Sequence, residues 1–499
     1  MEGMKERYLI FIMAGCLLAS AGPDVSAQGN IWPQFRGINC SGVAEEDQHP
    51  PVDFDREHHM IWATDLASGQ SSPCIWQDRI FITGLDEEEK LFRMYCLHRE
   101  TGAILWQKEL PVKELEEVHA VCSPANATPA SDGECVVFYF GSYGLICFDM
   151  DGKLQWELPM AIPASRHGMG TSPVIYKDLV VLNCFGHIND PCLLALDKHT
   201  GKIKWKYSGT VEEGHWVDSY SSPVIHGNQV IIYRNEDVSA YDVHSGEQVW
   251  RYPTGLGDAV CTPVMNDSIL YITVFSTQGN REMQAQFPSY SELIPDYDQN
   301  KDHLITKGEI EGFEFFSYPE KKDILSSIRI SDYFNVWDVN RDAYIDSAEW
   351  DGMIAYSRSF TERQGIKAIR LGRQGDISFE GFLWGDSRNV PHVSSPLYYK
   401  GLVYMVKSGG ILTCLDAETG ELKYSERLGT AGTYFASPIA SDGRIYCTSR
   451  NGVVTVVHAG PEFKIVAKND LDELISATPA VVDSKLYLRT GDRLYAFGE

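Results

Sequence analysis

A Ser/Thr-Pro pair set ahead of an apolar run recurs eight times along the chain, and no other feature restricts its fold as strongly. The pairs are Ser72-Pro73, Thr128-Pro129, Ser172-Pro173, Ser222-Pro223, Thr262-Pro263, Ser395-Pro396, Ser437-Pro438 and Thr478-Pro479. Successive pairs lie 56, 44, 50, 40, 133, 42 and 41 residues apart, and all but one of these intervals is close to one propeller blade. The long interval holds one unit plus roughly 90 extra residues. That surplus places an insertion between about Ser276 and Gly365.

Each unit runs through the same elements. The strand after Ser/Thr-Pro is followed by a second, as in Gln229 to Tyr233 or Leu402 to Val406, and by an alternating third, as in Leu193 to Asp197. A polar turn with Gly then leads to a fourth strand carrying an aromatic, as in Thr200-Gly201-Lys202-Ile203-Lys204-Trp205. The aromatics in that place are Trp106, Trp156, Trp205, Trp250, Trp384 and Tyr424, with Ile465 in the seventh unit. A flat aromatic at a fixed blade position is expected to plug the space between stacked sheets. The eighth unit ends at Phe497-Gly498-Glu499 without a fourth strand, and His58 to Leu66, with Trp62 in the aromatic place, can supply it. Such a strand closes the ring and removes two open sheet edges. The expected fold is therefore all-β, an eight-bladed β-propeller closed by an N-terminal strand and carrying a small α-helical insertion. The propeller takes residues 58–276 and 366–499, the insertion 277–365, and an irregular acidic lead-in 28–57.

The run Leu194-Ala195-Leu196-Asp197-x-x-Thr200-Gly201-x-x-x-Trp205 resembles the repeat of pyrroloquinoline-quinone propellers, with weaker copies at Ala240 to Trp250 and Leu415 to Tyr424. The opening Trp32-Pro33-Gln34-Phe35-Arg36-Gly37 is similar to the start of a group of exported bacterial propellers in that family. So are His119…Asn126-Ala127-Thr128-Pro129 and His167-Gly168-Met169-Gly170-Thr171-Ser172-Pro173. The family holds quinone-dependent dehydrogenases and also cofactor-free scaffolds, such as the propeller lipoprotein of outer-membrane assembly. The resemblance implies the fold far more than the function.

Two twelve-residue loops stand out inside the insertion. The first offers Asp298, Asn300, Asp302, Thr306 and Glu309 at positions 1, 3, 5, 9 and 12, with the Leu304 carbonyl at position 7. The second offers Asp338, Asn340, Asp342, Asp346 and Glu349 likewise, with the Tyr344 carbonyl at position 7. That spacing wraps six or seven hard oxygens round one point and is the EF-hand pattern for Ca²⁺. Ile305 and Ile345, at position 8, are expected to pair as a short β-bridge. Position 6, usually Gly, is His303 or Ala343, which weakens binding because the position needs positive φ. Residues 320 to 337, with Ile324, Ile328 and Phe334 apolar, are expected to form the helix entering the second loop. The helix entering the first is short or kinked, because Pro288 and Pro295 fall in it.

In a propeller the loops leading into the innermost strands converge at one mouth of the central channel. The polar residues just ahead of the Ser/Thr-Pro pairs are His119, Asn126, His167, Trp216, Asp218, Asp258, His392 and Tyr434. They make a candidate funnel for an unidentified small molecule or protein partner; the alternative is that they satisfy one another and bound water. Many alcohol-oxidising relatives carry an adjacent cysteine pair beside the quinone, and this sequence has none. Pyrroloquinoline quinone is accordingly not expected as a cofactor, and no residue is singled out as catalytic. The sequence thus reads as an exported, non-catalytic binding or scaffolding propeller with a calcium-binding module. The alternative is a quinoprotein-type oxidoreductase, or another enzyme, acting on a small sugar or alcohol in the funnel.

A net charge of −26 repels phosphate backbones, so nucleic acid is not an expected partner. Lys5 and Arg7, the apolar stretch Tyr8 to Ala21 and the small residues Val25-Ser26-Ala27 read as a signal peptide over residues 1–27, giving a periplasmic or extracellular protein. Met13-Ala14-Gly15-Cys16 also matches a lipoprotein signal, and lipidation at Cys16 is the one expected route to a membrane. Cleavage after Ala27 leaves eleven of twelve Cys, most within apolar strand-like runs, so free buried thiols are the expected state for most of them.

Overall fold

The computed structural model describes residues 30–165, 167–209, 219–255, 257–276, 287–315 and 328–499. The expected signal peptide over residues 1–27, with Cys16, and the expected funnel residues Trp216 and Asp218 lie outside the described residues. Among those described, the strands assemble into eight antiparallel blades of an all-β propeller. Blade 3 shows the pattern: Val174–Tyr176, Leu179–Asn183, Cys192–Asp197 and Ile203–Ser208, hydrogen-bonded in that order from the channel outward. Its second and third strands are buried along nearly their whole length, because a neighbouring blade covers each face; the fourth alternates. Blade 8 has Ala480–Val482, Lys485–Arg489 and Arg493–Phe497, and the strand Met60–Asp65 pairs antiparallel with the last of these.

The Ser/Thr-Pro pairs form a ring. The backbone N–H of Ser72 donates to the hydroxyl of Thr128 at 3.0 Å, Thr128 to Ser172 at 3.0 Å, and Ser172 to Ser222 at 3.1 Å. The series continues from Ser222 to Thr262 at 3.1 Å, Thr262 to Ser395 at 2.9 Å, Ser395 to Ser437 at 3.0 Å and Ser437 to Thr478 at 3.1 Å. It returns from Thr478 to Ser72 at 3.0 Å. All eight residues are buried. At this end the first strand has no partner on its channel side, so the next blade's hydroxyl satisfies its first donor. The following residue, Pro, brings no N–H that would need an acceptor.

A second seam runs near the outer rim. The Trp156 indole N–H donates to Lys198 O of blade 3 at 2.6 Å, and its ring lies against Gly201. A Cβ at Gly201 would stand 2.6 Å from that ring, and φ there is 68°, so the turn admits only Gly without strain. Trp62, Trp106, Trp205 and Trp384 reach Arg99 O, Met150 O, Val243 O and Ala417 O of their neighbours in the same way, at 2.9, 3.0, 2.9 and 3.1 Å. Trp250 departs, donating to Gln229 Oε1 within its own blade. These aromatics are therefore directed donors as well as plugs. Between the two seams lie apolar cores such as Val137, Leu145, Val180, Leu182 and Leu194 between blades 2 and 3. Each such side chain contributes about 1.5–3 kcal/mol on burial.

The lead-in is more than irregular. Ile31–Trp32 adds a strand to the channel side of blade 1, opposite Ile75–Trp76. From there the chain crosses the channel: Ser131 N–H meets Pro33 O at 2.8 Å, the Asn39 amide brackets Ile225 at 2.7 and 2.8 Å, and Ala440 N–H meets Gly42 O at 2.8 Å. These contacts fall on the half of the innermost strands furthest from the Ser/Thr ring. Residues 31–48 thus fill the far end of the channel.

The insertion leaves blade 5 between its second strand, Ile269–Val274, and its third, Gly365–Arg370, whose ends pair at Val274 and Gly365. It has its own core of Leu293, Ile305, Ile310, Ile330, Phe334, Trp337, Ile345 and Trp350. The described α-helices all lie here: α1 (Tyr290–Tyr297), α2 (Phe334–Trp337) and α3 (Ser347–Arg363). The continuous helix expected over 320 to 337 is not what the described part forms. Ile328–Arg329 is extended and pairs with Glu314–Phe315; a 3-10 turn, Ile330–Tyr333, and one turn of α2 follow. Only Ile330, Phe334 and Trp337 keep helical spacing toward the core, and Ile328 is taken up by the strand pair.

The ring can be tested at one link. Ser172→Ala removes the acceptor of the buried Thr128 N–H and should cost about 1–3 kcal/mol, lowering the urea midpoint, while Ser172→Thr keeps the hydroxyl and should stay near wild type. Equal midpoints for Ala and Thr would mean the ring carries no stability.

Candidate functional site

Second-to-third strand loops and the loops leading into each Ser/Thr-Pro pair share one face of a propeller, here the mouth opposite the filled end of the channel. His119 and His167, both exposed, come together there with ring centroids 5.5 Å apart, and the His167 ring lies 5.8 Å from that of Tyr220. His119 N–H also approaches His167 O at 3.5 Å. On the blade-5 side, His392 Nε2 pairs with Asp258 Oδ2 at 3.2 Å, and Phe275 stacks on the imidazole at 4.2 Å. Asp258 N–H donates to Phe275 O at 2.7 Å. Phe275 ends the strand from which the insertion departs, so the root of the insertion is part of the mouth. The other root is near as well: a Cβ at Gly255 would meet the Arg363 side chain at the end of α3 at 2.7 Å. Asn126 is half-buried at the entry to blade 2. Tyr434 does not line the mouth: it is 1% exposed in the packing of blades 6 and 7, its hydroxyl donating to Thr430 O at 3.2 Å.

Beneath the two histidines lies Glu116, which sequence reasoning passed over. Its carboxylate accepts Met169 N–H at 3.0 Å, and its own N–H reaches Ser142 Oγ at 3.0 Å. A Cβ on Gly141 would overlap the carboxylate. Burial pushes the Glu116 carboxyl up to about 8, against the lowering effect of the Met169 hydrogen bond. Within the run Glu114-Leu115-Glu116-Glu117 nothing in residue type distinguishes Glu116; Gly141, opposite it, is the one sequence trace. Two arginines were missed as well. Arg36 is wholly buried and donates to Pro396 O at 2.8 Å and Pro438 O at 3.4 Å; burial pulls it down to about 10. Arg489, equally buried, donates to Ser71 Oγ at 3.0 Å and Ala67 O at 3.1 Å, and burial pulls it down to about 9. Arg36 ties the starts of the first strands of blades 6 and 7 through their backbone carbonyls, and Arg489 ties the second strand of blade 8 to the loop that enters blade 1.

The two acidic loops adopt one geometry. Asp298 accepts the N–H groups of Lys301 and His303 at 2.7 and 3.0 Å, and Asp338 those of Asp342 and Ala343 at 3.1 and 3.0 Å. Asp302 and Asp342 each accept the N–H two residues on, at 2.9 Å. Glu309 spans its loop to Gln299 N–H at 3.1 Å and Thr306 N–H at 2.9 Å; Glu349 spans to Asn340 N–H at 3.0 Å and Asp346 N–H at 3.1 Å. His303 and Ala343 sit at φ 62° and 73°. Ile305–Thr306 pairs with Tyr344–Ile345, and the Tyr290 hydroxyl reaches His303 O and Ile345 O, each at 2.9 Å. Among the described residues, no group of three His, Cys, Asp or Glu side chains stands gathered as a metal cluster.

Compared with known proteins, the chain matches the family described as outer membrane protein assembly factor BamB over residues 52–188, 92–291 and 381–461. Outer membrane protein assembly factor BamB of Yersinia pestis is 20% identical over 467 residues, 89% of this chain and 95% of that protein. The crystal structure of BamB from Moraxella catarrhalis superposes with a TM-score of 0.52 at 13% identity, covering 88% of this chain and 99% of that one. A europium-containing methanol dehydrogenase superposes with a TM-score of 0.56 at 10% identity, covering 95% and 98%. At such identities the two structures speak for the fold alone.

Glu116 gives the mouth a pH signature. Its folded pKa, about 8, lies above the ordinary 4.5, so its contribution to stability is complete below pH 4.5 and is lost as pH rises through 8. Glu116→Gln stays neutral throughout, so its Tm should gain on wild type as pH rises across that window. A constant difference would show that Glu116 ionises normally.

Proposed function

The chain belongs to the family described as outer membrane protein assembly factor BamB, and from that premise we propose that it is an exported, non-catalytic propeller that binds or organises a partner at its open mouth. The observation that carries this reading is the contrast between the two ends of the channel. Residues 31–48 fill one end, while the other presents His119, His167, the Asp258–His392 pair and both roots of the insertion. A channel closed at its floor suits capture at one face. The strand Met60–Asp65 serves in this reading as the clasp that completes blade 8.

The insertion is the second part of the proposal: a pair of EF-hands that bind Ca²⁺. In each loop the candidate ligands are oxygens throughout, from Asp298, Asn300, Asp302, Leu304 O, Thr306 and Glu309, and from Asp338, Asn340, Asp342, Tyr344 O, Asp346 and Glu349. That donor set suits a hard cation. Positive φ at position 6 supports the wrap, and its cost in His303 and Ala343 argues for weak sites, on the order of 10⁻⁵ to 10⁻³ M. The ion would supply charge neutralisation that orders the module. Pyrroloquinoline quinone is left out of this reading, because the sequence lacks the adjacent cysteine pair that many alcohol-oxidising relatives carry beside it.

Two measurements test the proposal. Calorimetric titration should show Ca²⁺ binding that Glu349→Gln weakens at least tenfold, with Ca²⁺ protecting residues 277–365 from proteolysis; cleavage unchanged by chelator would remove the calcium part. Incubation with pyrroloquinoline quinone and Ca²⁺, followed by desalting, should leave no quinone absorbance. Stoichiometric retention, with dye-linked alcohol or sugar oxidation that His119→Ala abolishes, would replace the scaffold reading by the oxidoreductase.

A further inference from the structure

The loop joining the second and third strands of blade 3 begins at Cys184 and ends at Cys192. Cys184 N–H donates to Cys192 O at 2.8 Å and Cys192 N–H returns to Cys184 O at 3.4 Å, which extends the ladder one step beyond Asn183 and Leu193. The two cysteines therefore stand directly opposite, on the same side of the sheet. Residues so paired have Cα atoms about 5.5 Å apart, inside the roughly 4.4–6.8 Å that a disulfide spans. Both are free thiols buried in the core between blades 2 and 3.

A second pair nearby supplies the contrast. Cys135 lies opposite Asp149 and Cys147 opposite Val137, so these two are diagonal neighbours on their ladder. Diagonal Cα atoms are about 7–8 Å apart, at or beyond the limit for a bridge without backbone movement. They too are free thiols, and they share the same core. Burial in one core thus does not separate the two pairs; register does.

We propose that Cys184 and Cys192 form a disulfide that closes the blade-3 loop when the chain folds under oxidising conditions, a proposal whose biological setting rests on the export reading above. A disulfide-bearing oxidant supplies the chemistry. One cysteine thiolate attacks it, forming a mixed disulfide and releasing one thiol; the second thiolate attacks the protein sulfur of that bond and releases the other. Two thiols lose two electrons and two protons, and the oxidant leaves as two thiols. The adjacent Cys192 thiol and burial in the finished propeller raise the Cys184 thiol well above its ordinary range, so exchange belongs to the stage before blade 2 covers the hairpin. The loop it closes is local in sequence and supports the mouth. His187 Nε2 meets the Tyr139 hydroxyl at 3.0 Å, and Ile188 N–H meets Ala164 O at 3.1 Å, three residues from His167.

Reduced full-length chain should be unfolded in urea, refolded with mixed oxidised and reduced glutathione, then alkylated in denaturant and mapped by peptide mass spectrometry. A peptide linking Cys184 to Cys192, with two fewer alkylated thiols than in the reduced control, is expected, and Cys135 and Cys147 should remain alkylated. The Cys184→Ser/Cys192→Ser double variant should show no loss of thiols. Full alkylation of Cys184 and Cys192 after refolding, or a Cys135–Cys147 bond in their place, would overturn the assignment. Protein exported under its own leader and alkylated at harvest forms the second arm. A bond made in glutathione but missing at harvest would overturn the export reading while leaving the pairing intact.

Discussion

Each innermost strand starts at the most crowded point of the molecule, where its first backbone N–H faces the adjacent blade instead of a partner in its own sheet. A buried donor left there would cost about 1–3 kcal/mol, eight times over. The ring of Ser and Thr hydroxyls removes that cost with one acceptor per seam, and Pro ensures that the next position adds no further donor. Everything further out can then be apolar. Five tryptophans repeat the solution near the rim, each ending an apolar plate in one directed hydrogen bond to the next blade. Blades held by polar contacts at both radii have their relative angle set by geometry, while the cores between them supply most of the burial.

This logic explains what was legible in the sequence. Ser/Thr-Pro is a chemical requirement of the ring, so it repeats at blade length and reveals both the unit and the count. The 133-residue interval marks the insertion for the same reason. Spacing also located the two acidic loops and the Ile305–Ile345 pairing position. What stayed hidden depends on how distant segments meet. Arg36 opens a segment whose composition reads as irregular, yet it lies in the channel between blades 6 and 7. Glu116 differs from Glu114 and Glu117 only in where the chain turns. Tyr434 precedes a Ser-Pro pair as His392 does, but the pair it precedes belongs to a closely packed seam, and the ring turned inward. Local pattern could not separate a helix over 320 to 337 from the strand, 3-10 turn and short helix observed from 328 onward, because Ile328 serves either as a core residue or as a strand partner.

The insertion is built as a separate core on a shared root. Its apolar cluster is its own, yet its two stems end at the mouth, Phe275 on His392 and Arg363 beside Gly255. Helix α3 has Glu349 in its first turn and ends at Arg363, so one continuous helix runs from the second acidic loop to the mouth.

The pairing of Met60–Asp65 with Arg493–Phe497, and of Thr478 with Ser72, also bears on how the molecule is made. A ribosome adding about 5–20 residues per second delivers the two strands of that pair roughly 20 to 90 s apart. Blades 1 to 7 can stack as they emerge, but the strand made first must wait, unpaired, for the strand made last. Throughout that interval the arc presents two open edges to every other nascent chain. A premature stop within the final codons would therefore spare seven finished blades and still leave the molecule in that exposed state permanently.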